Sequence, residues 1–162
     1  MPISVDIMYS DVIATIDDGI NEKVTLTDDT DVSNKVKEYL DEKYVKRSDV
    51  ELEHISILLL SYTNPPQLPF SLPCKSWNIR CESHTPYVIN LLNSIPLNCD
   101  LLKIEVDNLG FGEIADMEQV RTAKMLSLKM TDQLMEFGIS GEQFEKFKAE
   151  KVYLNGHDYY HP

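Results

Sequence analysis

The chain has 162 residues, 43% of them hydrophobic and 26% charged, and a formal charge of −12. It is long enough to bury a core and too rich in apolar runs for a disordered chain. With 15 basic residues and a pI near 4.6 it has no phosphate-neutralising stripe, which argues against direct nucleic-acid binding.

Residues 3–9 (ISVDIMY) alternate apolar and polar, as a strand does, and residues 11–16 form a second run directly after them. DDGINE (17–22) reads as a turn with Gly19 at positive φ, and KVTLT (23–27) as the returning strand, so residues 11–27 form a β-hairpin. A helix over 33–44 follows, capped by Thr30 or Asp31. Its apolar stripe is Val36, Tyr39 and Leu40, and Glu42 with Lys46 forms an i,i+4 pair. Residues 50–62 make a strong strand. The segment 63–73 carries four prolines and no charge, so it reads as a stiff connector packed across the sheet.

Residues 76–81 form a short strand with the only tryptophan, and Thr85-Pro86 starts a helix that Pro96 stops. In DLLKIEVD (100–107) Leu102, Ile104 and Val106 share one face, which predicts a half-buried strand, antiparallel or at an edge. Apolar residues at three- and four-residue steps from Met117 to Phe137 predict the longest helix, over 115–137. Ser140 with Gln143 forms a capping box for another helix over 141–152. No internal repeat stands out. The reading is one α+β domain over 1–162. It has a mostly antiparallel or mixed sheet of about four to five strands with an N-terminal hairpin. Three or four helices pack on it, two of them C-terminal.

The N-terminus has no basic n-region or long apolar segment, and no run approaches the ~20 apolar residues of a membrane span. The expectation is a cytoplasmic protein, in its own cell or an infected host, without membrane association. Cys74, Cys81 and Cys99 are odd in number and lack the tight pair of a zinc motif, so they read as buried free thiols.

The negative charge is clustered. Residues 1–32 hold eight acidic side chains and one Lys, and residues 100–118 hold six and one Lys. Clustered charge costs self-repulsion and points to a partner. The candidate partner-binding surface is Asp17, Asp18, Glu22, Asp28, Asp29, Asp31, Glu105 and Asp107. Turn and capping chemistry is the competing explanation for the first six. His157, Asp158 and His161 are weak metal candidates, since Asn155-Gly156 and Pro162 break the helix that would align them. His54-Ile55-Ser56 is half of a paired His-x-Ser motif whose second half is absent, and no cofactor motif is present.

The function expected is a small acidic interaction protein, not an enzyme. It would bind and neutralise a basic protein, for example a nucleic-acid-binding enzyme whose groove it occupies. One rival is a metal-assisted hydrolase using carboxylates such as Glu105 and Asp107 with a histidine. Another is a homodimer built on the methionines of the long helix.

Overall fold

The computed structural model describes residues 2–10, 12–28, 32–60, 72–81, 85–107, 110–131, 137–155 and 157–159. The strands are β1 (Pro2–Tyr9), β2 (Ile13–Asp17), β3 (Val24–Thr27), β4 (Glu51–Leu59), β5 (Cys74–Cys81), β6 (Leu101–Val106), β7 (Met125–Met130), β8 (Lys151–Leu154) and β9 (His157–Tyr159). All nine join one sheet in the order β3-β2-β1-β4-β5-β6-β7-β8-β9. The six strands from β1 to β8 in that order are parallel. Antiparallel pairing closes each end, through β1–β2–β3 and β8–β9.

One apolar pattern writes the parallel strands. Leu52-x-x-Ile55-x-Ile57-x-Leu59 recurs as Cys74, Trp77, Ile79 and Cys81, then as Cys99, Leu102, Ile104 and Val106. It recurs again as Ala123, Leu126, Leu128 and Met130, and finally as Ala149, Val152 and Leu154. Its first residues, 52, 74, 99, 123 and 149, are 22, 25, 24 and 26 apart. That lies inside the roughly 20–29-residue period of solenoids that contribute one strand per unit.

Register stacks like positions on like. Val5, Ile55, Trp77, Leu102, Leu126 and Val152 form one row, and Ile7, Ile57, Ile79, Ile104, Leu128 and Leu154 the next. The turns before the strands stack as well. Asp100 donates its N–H to the Lys75 carbonyl at 2.9 Å, Lys124 to Cys99 at 2.9 Å and Glu150 to Lys124 at 2.8 Å. Each unit thus continues the backbone ladder of the one before.

The helices lie in the connections. They are α1 (Ser33–Leu40), extended by a π-helical turn over Asp41–Val45, then α2 (Thr85–Leu92), α3 (Glu118–Thr122) and α4 (Gly141–Glu145). A 3-10 turn, Ile114–Asp116, precedes α3. Val36, Leu40 and Tyr44 from the first connection join one core with the inward strand residues. So do Val88, Leu91 and Leu92 from α2 and Val120 from α3. Trp77 is fully buried at its middle. The outward residues of the parallel strands are not buried, so among the described residues one sheet face is packed and the other open. This departs from the usual parallel sheet, which is covered on both faces.

The structure corrects several sequence expectations. The sheet has nine strands, not four or five. The helix expected over 115–137 is, up to Met130, a 3-10 turn, the five-residue α3 and strand β7, and residues 132–136 lie outside the described residues. Helical spacing from Met117 to Met130 coincided there with the strand alternation of Leu126, Leu128 and Met130. Met130 lies in the sheet core rather than on a helical stripe, so the helical dimer face does not exist. The helix expected over 141–152 ends at Glu145, and residues 151–154 pair as β8. Strand 100–107 is parallel and interior, between β5 and β7.

Val32 occupies the α1 N-cap, without a side-chain hydrogen bond, and the expected caps Thr30 and Asp31 lie outside the described residues. His157 and Asp158 lie in strand β9, so no helix aligns them. The Gly19 turn, the α1 stripe, the Glu42–Lys46 pair and the Ser140–Gln143 capping box are as read from sequence. All three cysteines are buried thiols. The connector 63–73 lies outside the described residues except for Leu72, which is buried, and Pro73. Among the described residues no helix is long and apolar enough to cross a membrane.

Candidate functional site

Alternation within the strands hands every second side chain to the open face, and register arranges them in rows. The first row runs Asp17, Asp6, Ser56, Asn78, Lys103, Ser127, Tyr153 from β2 to β8. The second runs Thr15, Met8, Leu58, Arg80, Glu105, Lys129 from β2 to β7. Neighbouring strands are about 4.8 Å apart, so the first row spans on the order of 29 Å.

Two shallow depressions share this face and meet at Asn78. One, of about 270 Å³, is lined by Asp6, Asp17, Lys23, Met8, Leu58 and Arg80 among others. Its floor is apolar, with Met8 44% exposed. The other, of about 310 Å³, is lined by Asn78, Lys103, Glu105, Ser127, Lys129 and Asn155, with Ile104 beneath.

The charges along the rows are not mixed evenly. Asp6 and Asp17 are direct partners across β1 and β2, two carboxylates facing each other at one end. Lys103 lies on β6, and Arg80 and Lys129 flank Glu105 from β5 and β7. The Arg80 Nε lies 4.0 Å and the Lys129 Nζ 3.9 Å from Glu105 Oε1. Both distances exceed a hydrogen bond, so Glu105 holds the two cations near each other without saturating their donors.

His54 sits at the lower edge of the face. Its Nδ1 is 2.9 Å from Ser76 Oγ and its Nε2 3.2 Å from Ser56 Oγ. A serine nucleophile needs an imidazole whose other nitrogen is held by an orienting group, usually a carboxylate. Here a second hydroxyl takes that place, and the arrangement serves better as a polar staple across β4 and β5.

The proposed acidic surface divides. The Asp17 Oδ1 accepts the Gly19 N–H at 2.8 Å at the hairpin turn and lines the first depression. Asp18 is buried. It accepts N–H groups from Ile20 at 3.0 Å and Asn21 at 2.8 Å, the Asn21 side-chain amide at 2.8 Å and the Tyr44 hydroxyl at 3.2 Å. Burial alone would raise its pKa, but these donors outweigh it and hold the carboxyl down at about 2. Burial, then the Asp18 charge, pushes the Tyr44 hydroxyl up in turn. Asp18 therefore holds the turn against α1's π-helical extension and is not offered to a partner.

Glu22 is exposed, and Asp28 lies 4.0 Å from Lys35. Asp29 and Asp31 lie outside the described residues, as do His84 and His161. Asp107 is half-buried just past β6. Glu105 is four strands from Asp17, roughly 19 Å, so the two acidic runs do not form one patch.

Much of the second run is also paired. Lys124 meets Asp100 at 2.8 Å and Arg121 meets Asp116 at 3.1 Å and Glu118 at 3.8 Å. Among the described residues no three His, Cys, Asp or Glu side chains gather as metal ligands do. Sequence reasoning missed the open face and its cations. The signal was Lys103, Glu105 and Lys129 standing between apolar residues in two successive copies of the strand pattern.

No family model matches the chain, and no curated protein or solved structure matches it.

Proposed function

We propose that this protein is a recognition module that docks another protein on the open face of its parallel sheet, with a basic part of the partner seated at the acidic end. It acts by occupying that partner's surface. The observation that carries the reading is the uncovered sheet face itself, which sets polar and apolar side chains in register across the parallel strands. A solenoid's uncovered strand face is an extended binding surface.

The acidic end supports the sign of the partner. Like charges directly opposite each other on paired strands are destabilising, and a basic group placed between Asp6 and Asp17 relieves that cost. Met8 and Leu58 add apolar contact area beside it. The hydrolase reading has less support, since Glu105 is engaged by Arg80 and Lys129 and His54 by two serines.

The test is affinity capture from lysate of the source cell with wild type, Asp6→Lys/Asp17→Lys and Leu58→Glu, at low and moderate salt. Circular dichroism and Trp77 fluorescence report that each variant is folded. A basic protein retained by wild type and lost by both variants supports the reading. Equal retention by all three would remove the open face as the docking surface.

A further inference from the structure

The second depression has the opposite chemistry to the acidic end, in a chain whose net charge is −12. Lys103 and Lys129 line it, and Arg80, on the rim shared with the first depression, flanks Glu105 from the next strand, so three adjacent strands set three cations around a single carboxylate. Arg80 and Lys129 are about half exposed, at 48% and 56%, while Glu105 is 27% exposed between them. Asn78 and Ser127, in the same row as Lys103, add neutral hydrogen-bonding groups.

We propose that this patch is an acidic-peptide subsite: Arg80, Lys103 and Lys129 receive Asp or Glu carboxylates of an extended partner segment laid across β5, β6 and β7. The inference rests on the docking reading above and names the chemistry of its second half.

Two observations set the ligand class. A long polyanion such as nucleic acid would be repelled by the rest of the molecule, whereas a short segment need only match the local charge. The acidic end also lies in the same row as Lys103. From Asp6 on β1 to Lys103 on β6 is three strand intervals, roughly 14 Å. An extended chain covers that in about four residues. A segment with a basic residue over Asp6 and an acidic residue about four positions away would meet both ends of the face with matching charge.

Glu105 gives the subsite its own signature. It already occupies the space between Arg80 and Lys129, at distances too long for hydrogen bonds, and so competes with an incoming carboxylate. Removing its charge frees both cations for the ligand. A surface on which the basic residues were merely solubilising would show no such gain.

The experiment selects peptides from a displayed library of random dodecamers on the full-length protein. Fluorescence anisotropy then measures the selected peptides against wild type, Lys103→Glu/Lys129→Glu, Glu105→Gln and Leu58→Glu. A labelled single-stranded oligonucleotide is measured alongside. The selected peptides should be enriched in Asp and Glu. The double charge reversal should weaken them at least tenfold, and Glu105→Gln should tighten them severalfold.

Loss of binding in Leu58→Glu with none in the double reversal would overturn the acidic subsite and leave the docking face standing. Binding untouched by every variant, or no peptide selected, would overturn both. Tighter binding of the oligonucleotide than of the peptides would overturn the assignment of the ligand as carboxylate.

Discussion

Asp18→Asn tests how the N-terminal hairpin is held to the first helical connection. The Asp18 carboxylate accepts two backbone N–H groups, a side-chain amide and the Tyr44 hydroxyl. Asparagine keeps one acceptor oxygen but turns a donor toward the Asn21 amide and Tyr44. The folded carboxyl ionises at about 2, against 3.8 for a free aspartate. That difference corresponds to at most about 2.4 kcal/mol, and solvent screening at this surface turn reduces it to ~1–2 kcal/mol.

A depressed folded pKa gives stability that is full above the unfolded value and lost as pH falls through the folded one. The contribution is therefore complete above about pH 5 and is lost progressively toward pH 1. Urea unfolding followed by the fluorescence of Trp77, the only tryptophan and fully buried, measures both chains across that range. Wild type should exceed Asp18→Asn by ~1–2 kcal/mol at pH 6, and the gap should shrink to about a third of that by pH 2.5. A gap that stays constant with pH would refute the assignment of the stabilisation to the charged carboxylate.

Three further outcomes follow from the packing. Ile104→Ala, buried between Ile79 and Leu128, should cost about 2–5 kcal/mol in the same unfolding assay. Ser140→Ala removes the hydroxyl that accepts the Gln143 N–H at 3.1 Å and should cost about 1 kcal/mol. Burial pushes the Cys74 and Cys99 thiols up to about 11, so a thiol reagent at pH 8 should leave the native protein unmodified. It should titrate all three cysteines in denaturant.

The N-terminal third was legible because its signals are local. Alternation in 3–9 and 23–27, the Asp-Asp-Gly turn and the Val36–Leu40 spacing each lie within a few residues and agree with the structure. The C-terminal third misled because each unit there is short. Val120, Ala123, Ser127 and Met130 fit a helical period as well as Leu126, Leu128 and Met130 fit a strand period. Only pairing with β6 and β8 decides between them.

The repeat escaped notice because its first position drifts from Leu52 to Cys74, Cys99, Ala123 and Ala149 and its period varies. Stacking conserves shape and burial, not letters. The acidic runs were visible as composition, but no single strand shows that Asp18 turns inward. Nor does one strand show that Glu105 falls between cations contributed by its neighbours.

The split between the two faces separates two kinds of change the sequence can undergo. In β5, Ile79 holds the stack while Asn78 and Arg80 address whatever lies above it. The same division recurs at Ile104 with Lys103 and Glu105, and at Leu128 with Ser127 and Lys129. A substitution at an outward position leaves the apolar row beneath it intact, so it alters the chemistry of the open face at little cost in stability. If the docking proposal holds, the molecule is in this sense a fixed keyboard whose keys can be relabelled one strand at a time, and its choice of partner would be free to change faster than its architecture.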